Sequence, residues 1–178
     1  MTDGGESDPI RNGAVRVLEA CRRRGLTVAT AESCTGGLVS AALTEIPGSS
    51  EVIDRGFVTY SNAAKEAMLN VPAAVLERHG AVSQETAEAM AAGALAISGA
   101  DLAVAITGIA GPGGGSAEKP VGLVHFAAAA RDGRHIHREK RFGDVGRSAV
   151  RARSVAEALE MLETLAAEAG GQTEFTPV

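Results

Sequence analysis

Ser33 stands in the run Glu32-Ser33-Cys34-Thr35-Gly36-Gly37, directly after the β-prone segment 26–31 and directly before a helical stretch. Glycines at such a junction let backbone N–H groups turn toward a ligand, and the N-terminus of a helix favours negative charge. A serine nucleophile could sit there beside donors for an oxyanion. A plainer role is open to the same residues, because Ser33 or Thr35 could simply cap the helix. The run is not Gly-x-Ser-x-Gly, so the nucleophile elbow of an α/β-hydrolase is not indicated.

A nucleophilic serine needs a base. Of the four histidines, His125 lies in an apolar strand, His135 and His137 share one face of a hairpin strand, and His79 precedes Gly80 at a helix end. None stands in a loop that follows a strand. The candidate loops hold two lysines, Lys65 and Lys119. A desolvated lysine can lose its proton near neutral pH. Lys65 follows the uncharged Ser61-Asn62-Ala63-Ala64, a suitable place for that, although a solvated helix lysine is the ordinary alternative. Tyr60, the only tyrosine, precedes Lys65 by five residues. On a helix the two would stand about 140° apart, so this is not the Tyr-x-x-x-Lys pair of a short-chain dehydrogenase. A strand-end Tyr60 could still meet Lys65 across one loop and donate a hydrogen bond to the nucleophile or leaving group. Its other reading is a half-buried ring at a sheet rim.

A glycine-rich stretch, Thr107-Gly108-Ile109-Ala110-Gly111-Pro112-Gly113-Gly114-Gly115 and on to Pro120, follows another strand-like run. It is neither a P-loop nor a dinucleotide fingerprint. Its amides could line a small phosphate or an amide group. It could also be a mobile connection, but a long glycine loop inside a compact domain more often has a function.

These candidates need elements to position them. The expected order is a helix over 9–24 stopped by Gly25, a strand over 26–31, a helix over 38–46, and a strand over 52–60 interrupted at Gly56. Asn62 is expected to cap a helix ending at Leu69. Pro72 opens a short helix that ends at His79, and Ser83 caps a helix over 84–98. Strands over 101–107, 121–129 and 134–142 follow, the last two joined by the Asp132-Gly133 hairpin signal, and a helix over 147–169 closes the pattern. Strand–helix alternation implies an α/β sandwich with parallel pairs, and the hairpin makes the sheet mixed. Residues 1–8 and 170–178 are expected to be flexible tails around a single domain, 9–169. Sites in such sheets gather at the carboxyl ends of the strands. Here those are the loops 31–37, 60–65 and 107–120.

Length, composition and charge bound the function. The chain has 178 residues, of which 45% are hydrophobic and 22% charged, with a net charge of −5. It is a globular chain of about one domain, neither disordered nor fibrous. No apolar run reaches the roughly 18 residues of a membrane span, and the acidic start is no signal peptide. Two cysteines, Cys21 and Cys34, make neither a disulfide framework nor a zinc site, which suggests reduced thiols in the cytoplasm. Residues 131–153 carry eight Arg and Lys against three acids. That segment could bind phosphate, but the chain as a whole is acidic and has no Trp, so nucleic-acid binding is not expected.

The same residues carry a resemblance. Ala31-Glu32-Ser33-Cys34-Thr35-Gly36-Gly37, Gly56-Phe57-Val58-Thr59-Tyr60-Ser61-Asn62 with Lys65, His79-Gly80-Ala81-Val82-Ser83, and Gly108-Ile109-Ala110-Gly111-Pro112 with Lys119-Pro120-Val121-Gly122 resemble, in this order, the CinA C-terminal-domain family. The likeness runs from about residue 10 to 168. It implies a three-layer α/β/α sandwich with a mixed, mainly parallel sheet. It also implies a metal-independent serine amidohydrolase, with no cofactor, of the kind that converts nicotinamide mononucleotide and water to nicotinate mononucleotide and ammonia. Ser33 would be the nucleophile, Lys65 its base and Tyr60 an assisting hydroxyl. Thr35, Gly36, Gly37, Asn62, Thr107, Gly108 and Gly111 would hold the amide and the nucleotide. Many relatives read Gly-Asp-Arg before the last helix. Here the run is Gly143-Asp144-Val145-Gly146-Arg147, and the displaced Arg147 would face the substrate phosphate. A homodimer is implied as well. Some relatives carry an extra N-terminal domain, and 178 residues are expected to hold only this one. A non-catalytic nucleotide- or protein-binding module, tied to competence or DNA damage, is the alternative.

Overall fold

The computed structural model describes residues 8–168. Helix α1, Pro9–Arg24, begins at Asp8, whose carboxylate accepts from the N–H groups of Ile10 and Arg11, and it ends at Gly25 in the left-handed region (φ 65°). Asp8 therefore caps a helix and is not part of a loose tail. The other residues expected in the tails, 1–7 and 170–178, lie outside the described residues.

Five strands follow: β1 (Val28–Glu32), β2 (Ile53–Val58), β3 (Leu102–Gly108), β4 (Leu123–Ala130) and β5 (His135–Arg141). They form one sheet in the order β2-β1-β3-β4-β5. β1 pairs in parallel with both β2 and β3, while β4 is antiparallel to β3 and β5. The sheet is thus mixed, and only β4 runs against the other four. β1 and β3 are buried at nearly every residue, as central strands covered on both faces must be. β5, at the edge, carries Arg138, Glu139, Lys140 and Arg141, charges that discourage further strand pairing.

Helices α1, α2 (Leu38–Thr44) and α6 (Arg147–Glu168) cover one face, where Leu18, Leu43, Leu159 and Leu162 pack on Val28, Val104 and Phe126. Helices α3 (Asn62–Leu69), α4 (Ala73–His79) and α5 (Gln84–Ser98) lie on the side of the second core, where Leu69, Leu76, Met90 and Ala94 pack with Ala29, Ala31, Ala103 and Ala105. The result is the three-layer α/β/α sandwich. Small alanines on that face of the sheet let α5 approach closely.

Several boundaries differ from expectation. The cap of α3 is Ser61, whose Oγ accepts from Ala64 N–H, and Asn62 is the first helical residue. Gly56 does not interrupt β2 but pairs with Thr30 inside it. A Cβ there would collide with Ser40 Oγ of α2, so the glycine marks a close helix–strand contact. Helix α2 stops at Thr44, and Ser49–Glu51 makes a short 3-10 turn before β2.

Candidate active site

At the carboxyl end of β1, Ser33 continues the sheet ladder by donating its N–H to the Ile106 carbonyl (2.9 Å), and Thr59 donates to the Glu32 carbonyl (2.9 Å). Glu32 pairs with Val58 and with Ile106, so the next residue of each strand run brings Thr59, Ser33 and Thr107 to one level. Ala29 and Ala31 face the α3/α5 core, and the two-residue alternation of a strand turns Ser33 the same way.

Lys65 reaches Ser33 from α3. Its Nζ lies 3.1 Å from Ser33 Oγ, 2.9 Å from the Thr59 carbonyl and 3.4 Å from the Tyr60 carbonyl. Lys65 is only 1% exposed. Burial disfavours the ammonium and pulls its pKa below the ordinary lysine value; Cys34 opposes this. A neutral amine has two N–H donors and one lone pair. In that form, with two carbonyls to accept its donors, the amine would keep its lone pair for the Ser33 hydroxyl.

Glu32 does not oppose this arrangement. Its buried carboxylate accepts from the backbone N–H groups of Gly37, Val39 and Ser40 at 2.9–3.0 Å and from the Thr30 hydroxyl. It is fixed at the start of α2, where a negative charge suits the helix dipole. This role was not legible in the sequence, although a carboxylate shortly before a helix is a general signal for it. Cys34, next to Ser33, is buried, and burial pushes its thiol up to about 11. A protonated thiol is a poor nucleophile.

The loop after Ser33 is a tight turn. Gly36 and Gly37 adopt φ of 60° and 98°, where a side chain would be strained. The Gly36 N–H donates to the Ser33 carbonyl and the Gly37 N–H to Glu32. The N–H of Leu38 donates to the Thr35 carbonyl. The amides of Gly36 and Gly37, expected to hold an oxyanion, are therefore already engaged, and these glycines shape the turn. Among the residues from 33 to 40, only the N–H groups of Cys34 and Thr35 bond to no other described residue.

The remaining expected residues divide. Arg147 donates to the Tyr60 hydroxyl (2.9 Å) and to the Gly111 carbonyl (3.0 Å), so it joins the strand-end tyrosine to the glycine-rich loop. Tyr60 thus presents its hydroxyl to Arg147, and its carbonyl to Lys65. Thr107 is buried and its Oγ donates to the Ala81 carbonyl (2.6 Å). Gly108 sits where a Cβ would crowd Val124 and the Leu123 carbonyl. Asn62 is exposed at the start of α3. His125 and His137 pair with each other (3.2 Å) on β4 and β5, and His79 lies 3.3 Å from Glu85. Among the described residues no cluster of three His, Cys, Asp or Glu is placed to hold a metal ion, and no helix is long and apolar enough to cross a membrane.

The sequence matches the CinA C-terminal domain over residues 11–166. The chain belongs to this family. A solved CinA-type relative, the competence/damage inducible protein CihA from Agrobacterium tumefaciens, superposes with a TM-score of 0.87 at 58% identity, covering 88% of this chain and 95% of that one. A protein named nicotinamide-nucleotide amidohydrolase PncC, from Pseudomonas putida, is 50% identical over 90% of this chain and 99% of its own length. A CinA-like protein of Synechococcus sp. (strain RCC307) is 54% identical over 82% of this chain. The chain spans about a third (35%) of that relative's length. Within the CinA domain as found here, the Ser33–Lys65 contact joins the end of β1 to α3, and Arg147 links Tyr60, between β2 and α3, to the glycine-rich loop.

Proposed function

We propose that the chain is a serine amidohydrolase that converts nicotinamide mononucleotide to nicotinate mononucleotide and ammonia. The observation that carries this is the buried Lys65 amine 3.1 Å from Ser33 Oγ. The name of the Pseudomonas putida relative supports the substrate class.

The chemistry runs as follows. Lys65 takes the Ser33 proton as Oγ attacks the carboxamide carbon. The developing oxyanion accepts from the N–H groups of Cys34 and Thr35. The Lys65 ammonium returns its proton to the departing nitrogen, which leaves as ammonia, and an ester to Ser33 remains. Water, deprotonated by Lys65, attacks the ester. The tetrahedral adduct collapses to the free carboxylate and Ser33 regains its proton. Arg147 and the amides of the glycine-rich loop take the 5′-phosphate, and Tyr60 orients Arg147. No step calls on a metal or cofactor.

Ammonia release from nicotinamide mononucleotide, measured with a chelator present, tests this. Wild type should be active, and Ser33→Ala and Lys65→Ala should each lose at least ~10³-fold in kcat with the fold unchanged. No release by folded wild type would instead favour a non-catalytic binding module.

A further inference from the structure

Arg151 stands one helical turn beyond Arg147 on α6, yet it does not face the mouth of the site. Its Nε donates to the Cys34 carbonyl (3.1 Å) and its Nη2 to the Thr35 carbonyl (3.0 Å). It is half-buried. Two charge-assisted bonds from one rigid guanidinium hold the Cys34–Thr35 and Thr35–Gly36 peptide planes of the turn after Ser33.

A peptide unit is planar, and in the trans form its C=O and N–H point in opposite directions. The one cis bond among the described residues lies elsewhere, so the Cys34–Thr35 unit is trans. The Cys34 carbonyl points at α6, in the α1/α2/α6 layer. The Thr35 N–H must therefore point away from that layer, toward the face on which Ser33 and Lys65 meet. The Ser33–Cys34 unit is set in the same manner, because the Ser33 carbonyl is held by the Gly36 N–H. These are the two N–H groups of the turn with no partner in another described residue. The guanidinium also withdraws charge from the carbonyl it holds, which strengthens the opposite N–H as a donor.

We propose that Arg151 is a positioning residue that aims and polarises the Thr35 N–H as an oxyanion donor, acting through the Cys34 carbonyl without touching the substrate. This rests on the amidase reading above. Removing one oxyanion donor outright lowers kcat by about 10²–10³. A donor left in place but no longer held should cost less, about 10–100-fold.

The experiment compares wild type, Arg151→Met and Arg151→Lys for ammonia release from nicotinamide mononucleotide, alongside thermal melting. Arg151→Met keeps the unbranched aliphatic stem of the side chain but cannot donate. It should lower kcat about 10–100-fold with KM within about twofold, and added methylguanidinium should restore part of the rate. Arg151→Lys, able to hold one carbonyl, should fall between the two and stands in if the Met variant melts too low to assay. Unchanged kcat in the variants beside an active wild type would overturn the proposal. So would a raised KM with kcat intact, which would make Arg151 a substrate-binding residue. An inactive wild type would overturn the amidase reading itself, a result that the variants cannot mimic.

Discussion

At the residue scale, the buried lysine is the feature with the clearest physical consequence. Burial holds the Lys65 pKa in the fold below its unfolded value. Between those two values the unfolded chain binds more protons, so stability rises with pH across that window. Below both values the penalty is fully present, and above both it is gone. Lys65→Met removes the titration. Urea unfolding of wild type and Lys65→Met at several pH values should therefore give a stability difference that shifts in favour of wild type as pH rises. A difference independent of pH would mean that the lysine keeps its charge in the fold. The same direction applies to catalysis, because kcat/KM should climb as Lys65 loses its proton. In the fold the neighbouring thiol stays protonated across this range, since burial pushes Cys34 up to about 11.

At the element scale, the site depends on how closely α3 can lie on α5. Gly93, in the middle of α5, meets the end of α3, and a Cβ there would overlap the Leu69 carbonyl oxygen. That oxygen belongs to backbone one turn beyond Lys65, so the strain cannot be relieved by a side-chain rotation. Gly93→Ala should push the two helices apart at a cost of about 1–3 kcal/mol. It should also lower kcat, because Lys65 moves with α3. Thermal melting and ammonia release measured together check this, and a variant with full stability and full activity would show that α3 tolerates the displacement. On the opposite layer Glu32 has the corresponding role, tying the first turn of α2 to β1 through three backbone amides.

At the scale of the whole molecule, the basic segment 131–153 holds the last helix and the site to the sheet. Arg138 and Lys140 on β5 both reach Glu157 of α6, at 2.7 and 3.0 Å, and the Glu157 side chain is 10% exposed. Arg131 donates to the Ala100 carbonyl and Arg134 to the Leu165 carbonyl. Arg147 and Arg151 complete the run at the site. Most of these cations are engaged by carboxylates or carbonyls of the fold itself. Glu157→Ala leaves Arg138 and Lys140 without their shared carboxylate and should destabilise the fold by about 1–3 kcal/mol. Both cations keep some solvent, so the loss should shrink at high salt. Urea unfolding at two ionic strengths reads both quantities.

The order of elements, the mixed sheet, and Ser33, Lys65 and Tyr60 as candidates were legible in the sequence alone. Each rests on local signals: strand runs, caps, a hairpin dipeptide, and a serine before paired glycines. The resemblance of four motifs to one family came from the same residues. Only the tertiary structure decided which groups remain free. Gly36 and Gly37 look like oxyanion donors in the sequence, but their N–H groups bond to Ser33 and Glu32. That satisfaction depends on where β1 ends and α2 begins in space. Arg151 lies 116 residues from the Thr35 carbonyl it holds, and no local pattern announces such a bond. Lys65 is a candidate in the sequence beside the reading of a solvated helix lysine, and only the packing of α3 beside the strand ends buries it against Ser33. Periodicity and caps act over a few residues and are written in the chain, whereas burial and peptide orientation are properties of the assembled layers.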